Sequence, residues 1–196
     1  MGGSAQLGVV NPDVEAQTQQ LYERTLVVRS QIGDEAAMRE LLEHYGPRLY
    51  FYLRKMLNNA PELVDDIAQE TWVAIFRGLP TLRETGKFRA WAFSIARMRV
   101  FREYRRRKLP VQSLDEAGAE ELPAAEEAEW AVSAEDLRRG LDALTATQRE
   151  ALVLHYFEGM SYEEIARVTE TQLGTVRSRI HHGKHALKGA LQRLKP

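Results

Sequence analysis

Three groups of side chains have types and spacing suited to chemistry, and in each the chemistry is recognition of charge rather than bond-making. The first lies near the C-terminus. Arg177, Ser178, His181 and His182 sit on the N-terminal part of a helical pattern whose apolar positions are Val176, Ile180, Leu187 and Leu191. Arg can grip guanine bidentately in a major groove, Ser is less selective, and Lys184 and Lys188 further along suit phosphates, which position without specifying. The second lies at 87–108, where Phe88, Trp91, Phe93, Phe101 and Tyr104 are interleaved with Lys87, Arg89, Arg97, Arg99 and Arg102. Aromatic rings give unstacked bases a platform while cations track the backbone, a combination suited to single-stranded or melting DNA. The competing reading is that most of these rings are core. The third is DDIAQETWVAIF, whose Asp65, Asp66, Gln69 and Glu70 share a polar face opposite an expected apolar stripe of Ile67, Trp72 or Val73, and Phe76. Such an acidic ridge is either a solvated helix face or a docking surface for a basic partner.

Bond-making chemistry finds little support. The chain contains no cysteine, so thiolate zinc sites, disulfides and thiol nucleophiles are excluded. No Walker loop, GxSxG, HExxH or dinucleotide fingerprint occurs. The carboxylate pairs Asp65-Asp66 and Glu163-Glu164 each sit on a helix with a simpler explanation. His181 and His185 have metal-ligand spacing but no accompanying carboxylate, so no metal and no cofactor is expected. The reading is therefore a binding protein and not an enzyme.

The elements that must position these residues are helical. Across 196 residues no segment shows a convincing strand alternation. Apolar residues at helical spacing run from Met38 to Met56, with Gly46-Pro47 expected to divide them into two helices. Pro61 is placed to open the next helix, which should end near Gly78 and Pro80. A polar loop follows at 83–87, then a long helix stopped by Pro110. Thr145 with Gln148, and Ser161 with Glu164, are capping-box patterns, and Gly159 reads as the stop between them. A short helix from Ser161, a tight turn at 169–171 and a longer basic helix spell helix-turn-helix, with Ala166 at the crossing.

Net charge is only −1, but charge is segregated. Segment 97–108 holds seven basic residues and one acid, segment 110–130 holds seven acids and no Lys or Arg, and the stretch after 175 holds six basic residues and no acid. Two basic surfaces joined by an acidic tether point to polyanion binding at both. The expected organisation is all-α: a flexible lead at 1–21 (with some helical character over 14–28), a helical domain at 22–109, a flexible acidic linker at 110–132 and a helix-turn-helix domain at 133–196. No apolar run approaches a bilayer span and no signal peptide is evident, so a cytoplasmic protein without stable membrane insertion is expected.

These segments together resemble the extracytoplasmic-function sigma factors of bacterial RNA polymerase. GDEAAMRELLEHYGPRLYFYLRKML resembles the opening of sigma region two, and VDDIAQETWVAIF the polymerase-docking helix. KFRAWAFSIARMRVFREYRRRK resembles the strand-opening, minus-10 segment. LDALTATQREALVLHYFEGMSYEEIARVTETQLGTVRSRI resembles region four, with GTVRSR as its minus-35 signature. The resemblance implies a sigma factor that binds core polymerase through the clamp helices of the largest subunit and the flap of the second, with an anti-sigma factor as a further partner. It implies that Asp66, Gln69, Glu70 and Thr71 dock polymerase. It assigns Lys87, Phe88, Arg89, Trp91, Arg97, Arg102 and Arg105 to the minus-10 element, and Thr175, Arg177, Ser178, Arg179, His181, His182 and Lys184 to the minus-35 element. It also implies that the acidic linker threads the polymerase cleft. Three places depart from the pattern: Glu170 in the turn, Met98 where an Asn commonly stands, and His181-His182-Gly183 in the recognition helix. If the turn needs positive φ at Glu170, the missing glycine costs about 1 kcal/mol.

A stand-alone helix-turn-helix regulator with a sensing or dimerising N-terminal half is the alternative. No dimerisation heptad or ligand-pocket sequence was found to support it.

Overall fold

The structure, a computed structural model, describes residues 12–58, 60–107 and 133–194. The acidic segment 110–132 lies outside these, as do residues 1–11, so the linker expectation is not addressed. The described residues contain helices and no strand.

Four helices form the N-terminal unit: α1 (Pro12–Gln31), α2 (Glu35–Met56), α3 (Val64–Gly78) and α4 (Phe88–Arg106). Helix α1 begins at Pro12, so 12–21 is helical rather than a flexible lead, in line with the helical character read over 14–28. Only its C-terminal part is held. Leu26, Val27 and Ser30 are buried, whereas Val14 and Leu21 are exposed. Gly33 turns the chain with a φ of 88°. Asp34 then caps α2, accepting from the backbone N–H groups of Ala36 and Ala37 at 3.0 and 3.1 Å. This satisfies donors that the helix itself cannot pair.

Helix α2 is a second correction. It runs unbroken through Pro47 rather than dividing there. The reason lies in its buried stripe: Leu41, Tyr45, Leu49, Tyr52, Leu53 and Met56 keep helical phase across the proline. Burial of such large side chains at about 1.5–3 kcal/mol each outweighs the roughly 3 kcal/mol of an internal proline. Helix α3 corrects the expected stripe as well. Val64, Ile67, Thr71 and Ile75 are buried, while Val73 is exposed. The i, i+4, i+8 row from Ile67 takes the core, and Trp72 packs only at its edge.

The C-terminal unit comprises α5 (Ala134–Asp142), α6 (Ala146–Leu152) with a π-helical turn at Val153–Phe157, α7 (Tyr162–Thr169) and α8 (Leu173–Leu194). Both anticipated capping boxes form, at Thr145/Gln148 and Ser161/Glu164. Helices α7 and α8 make the helix-turn-helix, with Val168, Val176 and Ile180 in its core. Gly183, a departure from the family pattern, has a packing reason. A Cβ there would sit 3.1 Å from Leu152 Cγ and 3.4 Å from the Gln148 carbonyl, so the glycine lets α8 approach α6.

The two units pack directly on one another. Helix α7 lies against α4, and α6 against α2. Their buried apolar residues form one continuous cluster from Leu26 to Ile180. The described residues of the two units thus share one core.

The turn at Glu170 adopts the left-handed conformation, with a φ of 53° and ψ of 43°. This is the strained position anticipated from the sequence. Glu170→Gly should therefore raise stability by about 1 kcal/mol, read as a higher midpoint in thermal or urea unfolding. A lower midpoint would mean that the Glu170 side chain stabilises the turn by more than the strain it carries.

Candidate nucleic-acid interface

Helix α3 presents its acidic ridge outward: Asp65, Asp66, Gln69 and Glu70 are exposed. Tyr50 donates to Asp65 at 2.9 Å, and Arg102 of α4 donates to Glu70 at 2.7 Å. Arg99 approaches Glu70 at 3.8 Å. Thr71, assigned to the same ridge, is on the opposite side. It is fully buried and its hydroxyl donates to the Ile67 carbonyl at 2.6 Å.

On α4 and the loop before it, the seven assigned residues divide. Phe88 is core, stacked edge-on to Tyr45. Trp91 is half-buried and, with Arg83, Lys87 and Arg167, lines an open cavity of about 400 Å³. Lys87 pairs with Glu84 at 2.5 Å. Arg102 and Arg105 are exposed. Arg89 and Arg97 point to the C-terminal unit, and each carries an ion pair there.

Helix α8 shows its N-terminal part to solvent through Arg177, which is exposed, with Thr175, Ser178, His181, His182 and Lys184 partly so. The two histidine rings meet edge to face at 5.6 Å. Arg179 departs from this surface. It is 8% exposed, and its charge acts on Glu150 of α6 within the same unit. No group of three His, Cys, Asp or Glu side chains suited to a metal ion occurs among the described residues.

The sequence reading missed the groups that join the units. Glu150 on α6 is wholly buried, accepting from the Tyr52 hydroxyl at 2.8 Å and pairing with Arg97 at 3.1 Å. Burial pushes its carboxyl above the ordinary carboxylate range, although Arg97 and Tyr52 oppose the shift. Burial also raises the Tyr52 hydroxyl well above its usual value, and Glu150 adds to this. Glu158, also raised by burial, pairs with Arg48 at 2.8 Å. Glu164 accepts from Arg89 at 2.5 Å. Burial alone would raise its carboxyl, but Arg89 and the Ser161 backbone together hold it below the usual range. Arg149, 5% exposed, donates to the carbonyls of Leu141, Leu144 and Lys55 at 2.9, 3.1 and 3.2 Å. A guanidinium so surrounded keeps its hydrogen bonds after losing water. One signal was available. In ATQREALVL, Arg149 and Glu150 stand among residues that leave no polar face, since Ala146, Ala151, Leu152, Val153 and Leu154 are all buried.

Comparison with known proteins gives a consistent result. Residues 41–109 match the family description "Sigma-70 region 2", and residues 134–187 match "Sigma-70, region 4". The chain is 33% identical over 168 residues to the ECF RNA polymerase sigma factor SigE of Mycolicibacterium smegmatis, covering 81% of this chain. It spans 64% of that relative's length. It is 29% identical over 190 residues to the ECF RNA polymerase sigma-E factor of Escherichia coli K12, covering 90% of this chain and 98% of the relative. Among solved structures, CnrH in complex with the cytosolic domain of CnrY is 25% identical with a TM-score of 0.66, covering 88% of this chain and 99% of that one. The sigma factor RpoE with the anti-sigma factor NepR from Bartonella quintana is 24% identical with a TM-score of 0.63, covering 80% and 98%.

The buried Tyr52–Glu150 bond makes a direct prediction. Tyr52→Phe leaves the ring's packing intact but removes the donor to a buried carboxylate. The loss should be about 1.5–3 kcal/mol, measured by urea unfolding of the full chain. An unchanged stability would mean that Arg97 alone satisfies Glu150.

Proposed function

The chain belongs to the sigma-70 family, in its extracytoplasmic-function branch, and from that premise we propose that it binds core RNA polymerase and directs promoter-specific initiation. The observation that carries this reading is the order of surfaces along one chain: an exposed acidic ridge on α3, a basic aromatic helix α4, and a helix-turn-helix whose second helix exposes Arg177.

The division of labour follows from the chemistry of each surface. Asp66, Gln69 and Glu70 dock the clamp helices of the polymerase largest subunit, an acidic ridge against a basic helix pair. The buried Thr71 supports that ridge from behind, tying α3 to the core rather than touching polymerase. Region four engages the flap of the second subunit. Lys87, Arg89, Trp91, Arg97, Arg102 and Arg105 hold the opened non-template strand, with Trp91 as the stacking platform and the cations along the phosphates. Phe88 positions Trp91 through ring contact at 6.0 Å and does not itself meet DNA. Arg177 and Ser178 read the minus-35 duplex in the major groove, with Thr175, His181, His182 and Lys184 around them. The acidic linker passes through the polymerase cleft, where its lack of Lys and Arg keeps it from clinging to nucleic acid. The chain carries no reaction of its own; its activity is to direct that of polymerase, in the cytoplasm. No helix among the described residues is long and apolar enough to cross a membrane. An anti-sigma factor is a further partner.

Run-off transcription with core polymerase across a promoter library tests this reading and yields both promoter elements. A chain that forms no complex with core polymerase in gel filtration would sink it. Glu70→Lys should weaken that complex while leaving the unfolding free energy within about 1 kcal/mol of wild type, because the ion pairs it removes, to Arg102 and Arg99, lie at the surface. A tight sequence-specific duplex complex formed without polymerase would instead favour a stand-alone regulator. Arg177→Ala should cost about 1–3 kcal/mol of promoter discrimination, seen as relaxed preference at one minus-35 position. A uniform loss on all sequences would make Arg177 a phosphate contact.

A further inference from the structure

The segment 79–87, between α3 and α4, leads into the proposed minus-10 contacts but has little of its own to hold it. Arg83, Glu84, Gly86 and Lys87 are exposed, and Leu79 is its one buried residue. Its shape is set from outside, by α1. The side-chain amide of Gln31, the last residue of α1, donates to the Leu79 carbonyl at 3.0 Å and to the Leu82 carbonyl at 2.7 Å. Both neighbours are acceptors, so the amide must face them with its nitrogen. Only Asn or Gln offers two N–H bonds from one uncharged side-chain atom. Two turns earlier on the same face of α1, Arg24 lies along the far end of the segment, where a Cβ built on Gly86 would meet its Cδ at 3.8 Å. Helix α1 therefore touches the segment at both ends. The base of this strut is fixed: Leu26, Val27 and Ser30 are buried, and Arg29 pairs with Asp34, the α2 cap, at 2.7 Å.

The segment in turn seats Trp91. A Cβ on Gly78 would come within 2.9 Å of the Trp91 ring, so the indole edge rests on the chain just before Leu79. The Thr81 hydroxyl donates to the Gly78 carbonyl at 2.7 Å and closes that turn. Thr81, Leu82, Arg83 and Lys87 then line the cavity beside the indole. The Leu82 carbonyl that Gln31 holds thus belongs to a residue of the cavity wall.

We propose that Gln31 is a positioning residue for minus-10 recognition: with Arg24 it makes α1 a strut that holds segment 79–87 and the seat of Trp91 in the shape that discriminates between bases. The recognition half rests on the minus-10 assignments of Trp91 and Lys87 proposed above; the strut half rests on the hydrogen bonds alone. Stacking by itself tolerates every base. Preference among bases must come from groups fixed around the ring, and supporting hydrogen bonds are what fix them.

Gln31→Met keeps the length of the side chain and removes both donors. Gln31→Glu keeps the shape but turns a carboxylate on two carbonyls, and Gln31→Lys restores donors on a chain of similar reach. Each is assayed as holoenzyme with core polymerase, in run-off transcription from promoters carrying single base changes in either element. Minus-10 discrimination should fall about threefold in Gln31→Met and about tenfold in Gln31→Glu, with minus-35 discrimination within about twofold of wild type. Gln31→Lys should recover most of the loss. A ratio between bases at one position cancels any effect of charge on phosphate attraction. In the full chain without polymerase, amide exchange over 79–87 should quicken about tenfold in Gln31→Met, while α2 and α8 keep their rates. Unchanged exchange overturns the strut. Faster exchange with unaltered minus-10 discrimination overturns the role in recognition. So do equal losses at both elements, or losses that Gln31→Lys does not recover, since a merely structural residue would give those. Should Gln31→Glu fail to fold, Gln31→Met and Arg24→Ala decide, with the same loss confined to the minus-10 element expected of both. A wild-type holoenzyme without promoter preference refutes the sigma-factor reading, and the exchange result still decides the strut.

Discussion

A carboxylate without access to water organises this molecule. Glu150 lies on a short helix of the C-terminal unit, yet its hydrogen-bond partners, Tyr52 and Arg97, belong to the N-terminal unit. A buried carboxylate is tolerated only when its lone pairs are satisfied. That requirement fixes the position of α6 against α2 and α4 more narrowly than apolar contact would, because a shift of an ångström or two breaks hydrogen bonds but merely slides methyl groups. Its chain neighbour Arg149 imposes the complementary demand. Its guanidinium needs acceptors on several sides and finds them in the carbonyls that end α5 and in the last turn of α2. The adjacent pair therefore anchors the C-terminal unit both internally and to its neighbour.

Local features were readable from the sequence to the extent that their causes are local. The capping boxes at Thr145 and Ser161 are satisfied within four residues, and both formed. The strained turn at Glu170 follows from helix-turn-helix geometry, which calls for a left-handed residue there. The acidic ridge of α3 needed only helical periodicity to be placed on one face. Where the outcome depended on a distant partner, the reading slipped. Pro47 looked like a break because the burial that overrides it comes from α1, α3 and α4. The α3 stripe was read with large side chains inward, but the space facing α2 and α4 accepts Thr71 and Ile75, leaving Val73 outside. Thr71 illustrates the principle in one residue. Its polar type suggested the surface, and a hydrogen bond to the carbonyl four residues back lets it sit in the core.

The assigned DNA residues follow the same division. Exposure on α8 was legible for Arg177 from helical phase, and so was the burial of Val176 and Ile180 on either side. The inward turn of Arg179 was not, because its charged type suggested the surface, whereas the buried Glu150 on neighbouring α6 offers it an opposite charge. On α4 the aromatics went largely to the core, as the competing reading held, with Phe88, Phe93 and Tyr104 buried and Trp91 at the rim. Arg89 and Arg97 were assigned to the minus-10 DNA. Their partners in the structure are carboxylates from the other half of the chain, whose approach across more than fifty residues no local pattern encodes.

This makes the basic character of α4 more informative than its acidic partners. A guanidinium placed to bind phosphate is equally suited to a carboxylate, since both present a pair of oxygens that matches its paired N–H donors. A chain that carries a phosphate-binding surface on one unit and spare carboxylates on another is therefore prone to close on itself unless geometry forbids it. Here geometry permits it: α7 lies along α4, and the capping residue Glu164 serves two masters, closing the box on Ser161 and accepting from Arg89. A helix cap that would be needed for the helix-turn-helix alone thus also carries a contact between units. The same residue sets local helix structure and long-range closure, so neither can change without the other.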